Sequence, residues 1–220
     1  GKSIELKTRM ATPLNYIGIA HNYNGNRIRA IEYHRNAIDV AAEQHDTASA
    51  AHAYNSIGRV YFEQGMMEQS VDYYVGAQKI FESIDDLSGM AYVYQSLGNL
   101  YRTQKDYRRA LDFYTRALTL REKLGNKRNI MAANVLLGRL YQEQGQLETS
   151  NEFLLKGYTI GRALNDEIQL AEIQIFLAQN YLRNQKPEVA ESYCMDAYKA
   201  VTKVNNVRMI PWVNLTMGEI

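Results

Sequence analysis

The sequence predicts an all-α protein, a solenoid of helix-turn-helix repeats with five full copies and the start of a sixth. Two observations carry that prediction. The first is a fixed ruler. Gly18, Gly58, Gly98, Gly138 and Gly218 recur every forty residues, with Ala178 standing in once. Tyr61, Tyr101, Tyr141 and Tyr181 keep step three residues behind, with His21 in the first copy. Ala30, Ser70, Ala110, Ser150 and Ala190 follow, and then Ala37, Ala77, Ala117, Gly157 and Ala197. Self-similarity on such a period, with no insertion, marks a stack of helical units. The second observation is the spacing inside each copy, where small and apolar residues fall at i, i+4, i+7, one side of a helix.

The stretch from Ser96 to Asn126 shows one unit most clearly. Leu97, Gly98 and Tyr101 share a face of a first helix, and Ala110, Tyr114 and Ala117 share a face of a second. Gln104-Lys105-Asp106 is a short polar turn between them, with Asp106 placed to cap the second helix. The glycine and alanines are expected to let two helix backbones approach closely while tyrosines fill the space beside them. One such pair cannot bury its apolar side, so it needs neighbours on the same ruler.

Taken in order, the repeats are expected at about 4–44, 47–84, 87–124, 127–164 and 167–204, with a partial sixth at 207–220. The first helix runs from about Ile4 to Tyr23, turns at Asn24-Gly25-Asn26, and is answered by 27–44 with Ala30, His34 and Ala37 inward. His21 and His34 replace the aromatic positions of this copy. Two packed core histidines are the preferred reading, and a metal-binding or pH-sensing pair is the other. Later turns fall at Gln64-Gly65-Met66, at Gln144-Gly145-Gln146, and at Asn184-Gln185-Lys186-Pro187, with Pro187 suited to a first helical turn. Between repeats, Asp85-Asp86, Gly125-Asn126, Asn165-Asp166 and Asn205-Asn206 each combine a helix end with a cap for the next helix. Pro211-Trp212 opens the sixth repeat.

Composition narrows the classes. At 46% hydrophobic and 10% aromatic residues the chain can build a core and is not disordered. A net charge of +1 gives no bulk attraction to nucleic acid or an anionic membrane. No apolar run is long enough to span a bilayer. Three prolines and no Gly/Ser-rich run argue for one continuous domain over 1–220. The single cysteine, Cys194, rules out an intramolecular disulfide and sits at the phase of Tyr114, a core position. The chain begins without methionine and stops inside a repeat, which reads as a fragment of a longer protein, with a cytoplasmic location favoured over a periplasmic one. No phosphate loop, nucleophile elbow, zinc-binding helix or dinucleotide fingerprint is present, so no enzyme, metal or cofactor is expected.

The hydrophobic-Gly-x-x-Tyr core, followed by Ala, Tyr or Phe and Ala at fixed offsets, resembles the tetratricopeptide repeat (TPR). The forty-residue length and linkers such as Leu124-Gly125-Asn126-Lys127 look like its long-repeat branch, which includes LGN/Pins spindle adaptors, kinesin light chains, Rap-type peptide receptors and sensor regions of bacterial regulators. The resemblance implies a right-handed superhelix whose first helices line a concave groove. The phases it assigns to that groove include Thr12, Asn15, Ile19 and Asn22 in the first repeat. In later repeats they give a surface rich in amides and arginines: His52, Asn55, Arg59, Tyr92, Gln95, Asn99, Arg102, Arg139 and Gln142. Amides can bond the backbone of an extended peptide, and arginine can grip a carboxylate in a fork. A merely wet groove, compensated by Glu63 and Glu143, is the plainer alternative.

The Lys/Asn clamp of TPR co-chaperones is not reproduced, because Asn15 and Ile19 occupy its phases. The Rap-type phosphatase activity depends on a separate N-terminal bundle absent from this sequence. The functional expectation is therefore a protein- or peptide-binding scaffold, the sensor or interaction region of a larger bacterial signalling protein. The rival is a structural or oligomerisation scaffold, with a homodimer forming through a C-terminal end that leaves Trp212, Leu215 and Met217 partly uncovered.

Overall fold

A computed structural model describes residues 10–203, 206 and 209–219 of the chain. Eleven α-helices and no strand run through the described residues. They come as pairs: α1 (Ala11–Tyr23) with α2 (Arg27–Glu43), α3 (Thr47–Glu63) with α4 (Met67–Ser83), and α5 (Leu87–Thr103) with α6 (Tyr107–Leu124). The pairs α7 (Lys127–Glu143) with α8 (Leu147–Leu164) and α9 (Glu167–Arg183) with α10 (Pro187–Lys203) follow, and α11 (Ile210–Gly218) comes last. The part of the first helix predicted before Met10 lies outside the described residues, as do Asn205 of the last predicted cap and Ile220.

The turns obey the local chemistry read from the sequence. Asp46, Asp86, Asp106, Asn126 and Asp166 each accept a hydrogen bond from a backbone N–H in the first turn of the helix that follows. Just before all five caps, His45, Asp85, Lys105, Gly125 and Asn165 take positive φ, ending the preceding helix in the left-handed region. Inside the pairs, Gly25, Gly65 and Gly145 hold φ near +75°, and Lys105 and Gln185 are forced into the same region without being glycine.

The chain divides into two compact units, one ending at Leu120 and the other beginning at Arg121. The core of the first gathers Tyr74, Phe81, Val93, Leu97 and Leu100 around Ala51 and Ala77. The core of the second gathers Met131, Leu154, Ile173, Phe176 and Leu177, and Val213 of α11 joins a further cluster with Ile175 and Val201.

The recurring glycine lets backbones approach as expected, a Cβ on Gly58 or Gly138 lying 3.2 Å from the facing carbonyl of Ser70 or Ser150, and it has a second task. A Cβ placed on Gly98 would lie 2.5 Å from carbons of the Tyr114 ring, so the glycine is a seat for a side chain sixteen residues later. Gly58 seats Tyr74, Gly18 seats His34, and Gly138 seats Leu154 in the same way. The fifth pair explains its own exception. Ala178 packs against Cys194, and both are fully buried. A methyl group is admitted where the residue it faces is small.

The tyrosine three residues after each glycine differs from expectation. Tyr101 is only half-buried and stacks on Phe113, with ring centroids 5.5 Å apart. The fully buried ring of that pair is Tyr114. The same surface stack recurs as Tyr61 on Tyr73, Tyr141 on Phe153 and Tyr181 on Tyr193.

The two histidines have separate partners. His21 stacks on Tyr33, whereas His34 is fully buried with Nδ1 2.7 Å from Asn15 Oδ1. Among the described residues no cluster of three or more His, Cys, Asp or Glu could hold a metal, and no helix is long and apolar enough to cross a membrane.

Candidate functional site

The first helices of the N-terminal unit, α1, α3 and α5, enclose a cleft of about 220 Å³. Thr12, Asn15, Tyr16 and Ile19 of α1 form one side. Ser49, His52 and Ser56 of α3 form the floor and the opposite side, and Tyr92 of α5 completes it. These positions share one side of each helix because they are three or four residues apart, the spacing that stacks side chains along a helix.

The cleft is polar without being charged. Thr12 Oγ1 and Ser49 Oγ lie 3.0 Å apart, so one hydroxyl donates to the other and the second keeps its proton for a ligand. The carbonyl of Asn15 faces His34, which leaves its amide hydrogens as the available group. The His52 ring sets its edge against buried Phe81, 4.9 Å between centroids. Partial burial lowers its pKa from the ordinary imidazole value, against the upward pull of Asp86 and Asp46, although part of the side chain remains exposed. His52 is thus a neutral donor–acceptor near pH 7. No acid, lysine or arginine is among the described residues that line the cleft.

Of the residues expected in the groove, the structure brings His52 and Tyr92 to this cleft, together with Thr12, Asn15 and Ile19 of the first repeat. Asn55, one turn further along α3, is buried, and its Oδ1 has no hydrogen-bond partner among the described residues. Gln95, Asn99 and Arg102 lie half-buried along α5. Asn99 accepts a 2.6 Å hydrogen bond from the Tyr114 hydroxyl, so its carbonyl is tied to the core.

Arg59 is engaged within its own unit. Its guanidinium lies over the Tyr23 ring at 5.6 Å, and its Nε is 3.9 Å from Glu63, which also accepts from Asn22 Nδ2. In the C-terminal unit Arg139 lies over Phe176 at 4.9 Å and 4.0 Å from Glu172.

Gln142, also expected in the groove, is placed differently from the others. Its side chain is buried, and its amide donates to Phe176 O at 3.2 Å and to Asn180 Oδ1 at 2.7 Å. Asn180 in turn donates to Ser150 and Asn151, both at 2.8 Å. Gln142 therefore ties α7 to α9 inside the second unit.

Sequence reasoning missed Tyr16, Ser49 and Ser56. The two serines are small residues on a helix with a buried face, and their phases read as interior. Tyr16 falls at the phase of Ser56 and Phe176, of which Phe176 is buried and Tyr16 is 66% exposed. A repeat ruler cannot distinguish these, because it assumes the same neighbours for every copy.

The chain matches the family described as the MalT-like TPR region over residues 17–217. It belongs to that family. Solved structures agree on the fold. BtubC (BKLC) from P. vanneervenii shares 18% identity at a TM-score of 0.77, over 93% of this chain and 90% of that one. A signal transduction ATPase with numerous domains (STAND) from Pyrococcus horikoshii, which carries a tetratricopeptide repeat sensor, shares 18% at 0.83, over 94% of this chain and 31% of that one. A Rap protein complexed with Competence and Sporulation Factor shares 17% at 0.73, over 86% of this chain and 53% of that one. This MalT-like TPR region thus spans about half the length of the Rap protein and less than a third of the STAND protein. No curated protein sequence matches it. At such identities the likeness carries the fold, a TPR-like solenoid.

Burial also disposes of the lone thiol as a site residue. Cys194 is fully enclosed, and desolvation pushes its pKa up, away from the thiolate that nucleophilic chemistry needs.

Proposed function

We propose that this MalT-like TPR region is a protein-interaction module, the sensor or binding region of a larger signalling protein, and that it takes up an extended segment on the first helices of its N-terminal unit. The observation that carries this reading is the cleft between α1, α3 and α5, which presents hydroxyl, amide and imidazole groups with two exposed tyrosines beside them. His52 and Tyr92 meet the segment there, and Arg59, Gln95, Asn99 and Arg102 meet it further along α3 and α5, while Asn55 lies buried behind them with an Oδ1, unpartnered among the described residues, that a shift of α3 would have to uncover. Arg139 offers a comparable contact on α7. Gln142 has no free amide hydrogen to contribute. A Rap protein of the same fold has been solved with Competence and Sporulation Factor, and another with the Phr* peptide, which supports a segment as the class of ligand.

The test is selection from a random peptide library displayed on phage, followed by calorimetry of the enriched sequences. Saturable binding at one segment per chain, weakened by Tyr92→Ala and unaffected by Lys79→Ala on exposed α4 surface, is the expected result. Absence of any enriched binder would overturn the reading.

A second reading rests on α11, where Trp212 is 51% and Leu215 66% exposed. An apolar strip of that kind favours association between identical copies. Sedimentation of the chain beside a Trp212→Ser, Leu215→Ser variant tests it. A chain that is monomeric at high concentration rejects it.

A further inference from the structure

We propose that the cleft between α1, α3 and α5 is an anchor pocket for one large uncharged aromatic side chain of the bound segment, and that it discriminates against acidic ones. The proposal rests on the reading of this helix face as the interaction surface and adds to it the chemistry of the residue that is read. Size sets the first limit. The cleft holds about 220 Å³, below the roughly 300–1,000 Å³ that enclose a whole small-molecule ligand. It therefore accepts a single side chain.

The walls set the second limit. Tyr16 and Tyr92 are large rings 66% and 44% exposed, and Ile19 adds an aliphatic surface. Aromatic rings prefer to meet other rings offset or edge-on, and they gain most when an apolar body comes with a polar tip. The floor supplies the partner for such a tip, in the hydroxyl proton left over from the Thr12–Ser49 pair.

Charge sets the third limit. A carboxylate entering the cleft loses its water and finds no cation among the described residues that line it. Arg59, on the same helix, is directed to Tyr23 and Glu63. Asp46 and Asp86 cap the N-termini of α3 and α5 nearby. Those two carboxylates hold backbone N–H groups at 3.0 Å and do not line the cleft, so they offer a lysine no direct contact. An uncharged ring with a hydroxyl edge satisfies all three limits.

The experiment is a ¹⁵N-resolved NMR titration of the chain with N-acetyl-tyrosine amide, N-acetyl-aspartate amide and N-acetyl-lysine amide as probes. The expected result is saturable shifts at Thr12, Asn15, Ser49, His52 and Ser56 for the tyrosine derivative, with the other two binding at least about tenfold more weakly. Tyr92→Ala and Ser49→Ala, each checked for an unchanged remainder of the spectrum, should each weaken the tyrosine derivative several-fold. Equal or tighter binding of the aspartate or lysine derivative overturns the proposal, as does a tyrosine derivative that shifts residues elsewhere or none. The outcome is separable from that of the library selection. Library peptides that bind without competing with N-acetyl-tyrosine amide keep the interaction reading and reject the anchor. Binding of the amide without any library binder keeps the anchor and rejects the segment.

Discussion

Replacing Gly98 with alanine tests the ring seat directly. The added Cβ would lie 2.5 Å from both Cδ1 and Cε1 of Tyr114, a distance real methyl groups do not tolerate. The ring has little room to yield, since Tyr114 is 2% exposed and its hydroxyl donates to Asn99 Oδ1 at 2.6 Å. Overpacking of this kind costs about 1–3 kcal/mol, and the constrained ring places it at the upper end. Alanine returns about 1 kcal/mol of helix propensity over glycine. The net expectation is a loss of about 2 kcal/mol.

The fifth repeat supplies the control, because Ala178 faces Cys194 there and both are buried without conflict. In a Tyr114→Cys background, Gly98→Ala should lose its penalty and show only the gain of about 1 kcal/mol. The coupling between the two positions is then about 3 kcal/mol, at the top of the range for residues in contact. Urea unfolding followed by helical circular dichroism on the four chains of the cycle measures it. A Gly98→Ala cost that is the same in both backgrounds, or a stabilised single mutant, would refute the ring-seat argument.

Two further outcomes follow from the same geometry. His34 is fully buried, and desolvation, aided by Arg59, lowers its pKa to about 4 from an ordinary 6.5. The folded state therefore stays neutral while the unfolded chain takes up a proton below pH 6.5, so stability present above that pH is lost as it falls towards 4, by up to about 3 kcal/mol. His34→Phe, which keeps a ring over Gly18, should remove that part of the acid sensitivity in a pH series of urea unfolding curves, and an unchanged pH slope would contradict it. Lys105 holds φ of +60° at the turn where Gly25, Gly65 and Gly145 stand in other repeats. Lys105→Gly should stabilise the chain by up to about 1 kcal/mol in the same assay, and a loss would show that the lysine side chain has a role the backbone does not reveal.

The helix pairs, their caps and their turns were legible in the sequence because local chemistry decides them. Asp86 caps α5 whatever lies across the protein, and Gly65 turns the chain because its φ must be positive. The forty-residue ruler likewise marked which positions are equivalent. What equivalence could not say is which neighbour each position meets. Gly98 was legible as special, but that its partner is the Tyr114 ring and not a facing backbone depends on how α5 and α6 pack. Tyr101 and Tyr114 are both tyrosines at helical phases, and only the packing makes one a half-exposed stack and the other a buried knob.

The candidate site divides along the same line. His52 and Tyr92 could be placed by phase. Ser49 and Ser56 could not, since a small residue on an amphipathic helix reads the same whether it faces a core or the floor of a cleft. Gln142 and Arg139 carried the same polar signature as the other groove positions, yet one amide is enclosed between α7 and α9 and the other side chain lies on a phenylalanine. By itself the sequence determined the repeat, its period and the faces of its helices, because backbone hydrogen bonding and side-chain spacing are local. Tertiary structure alone decided which polar groups stay open to a partner, because burial is a property of what comes to lie alongside.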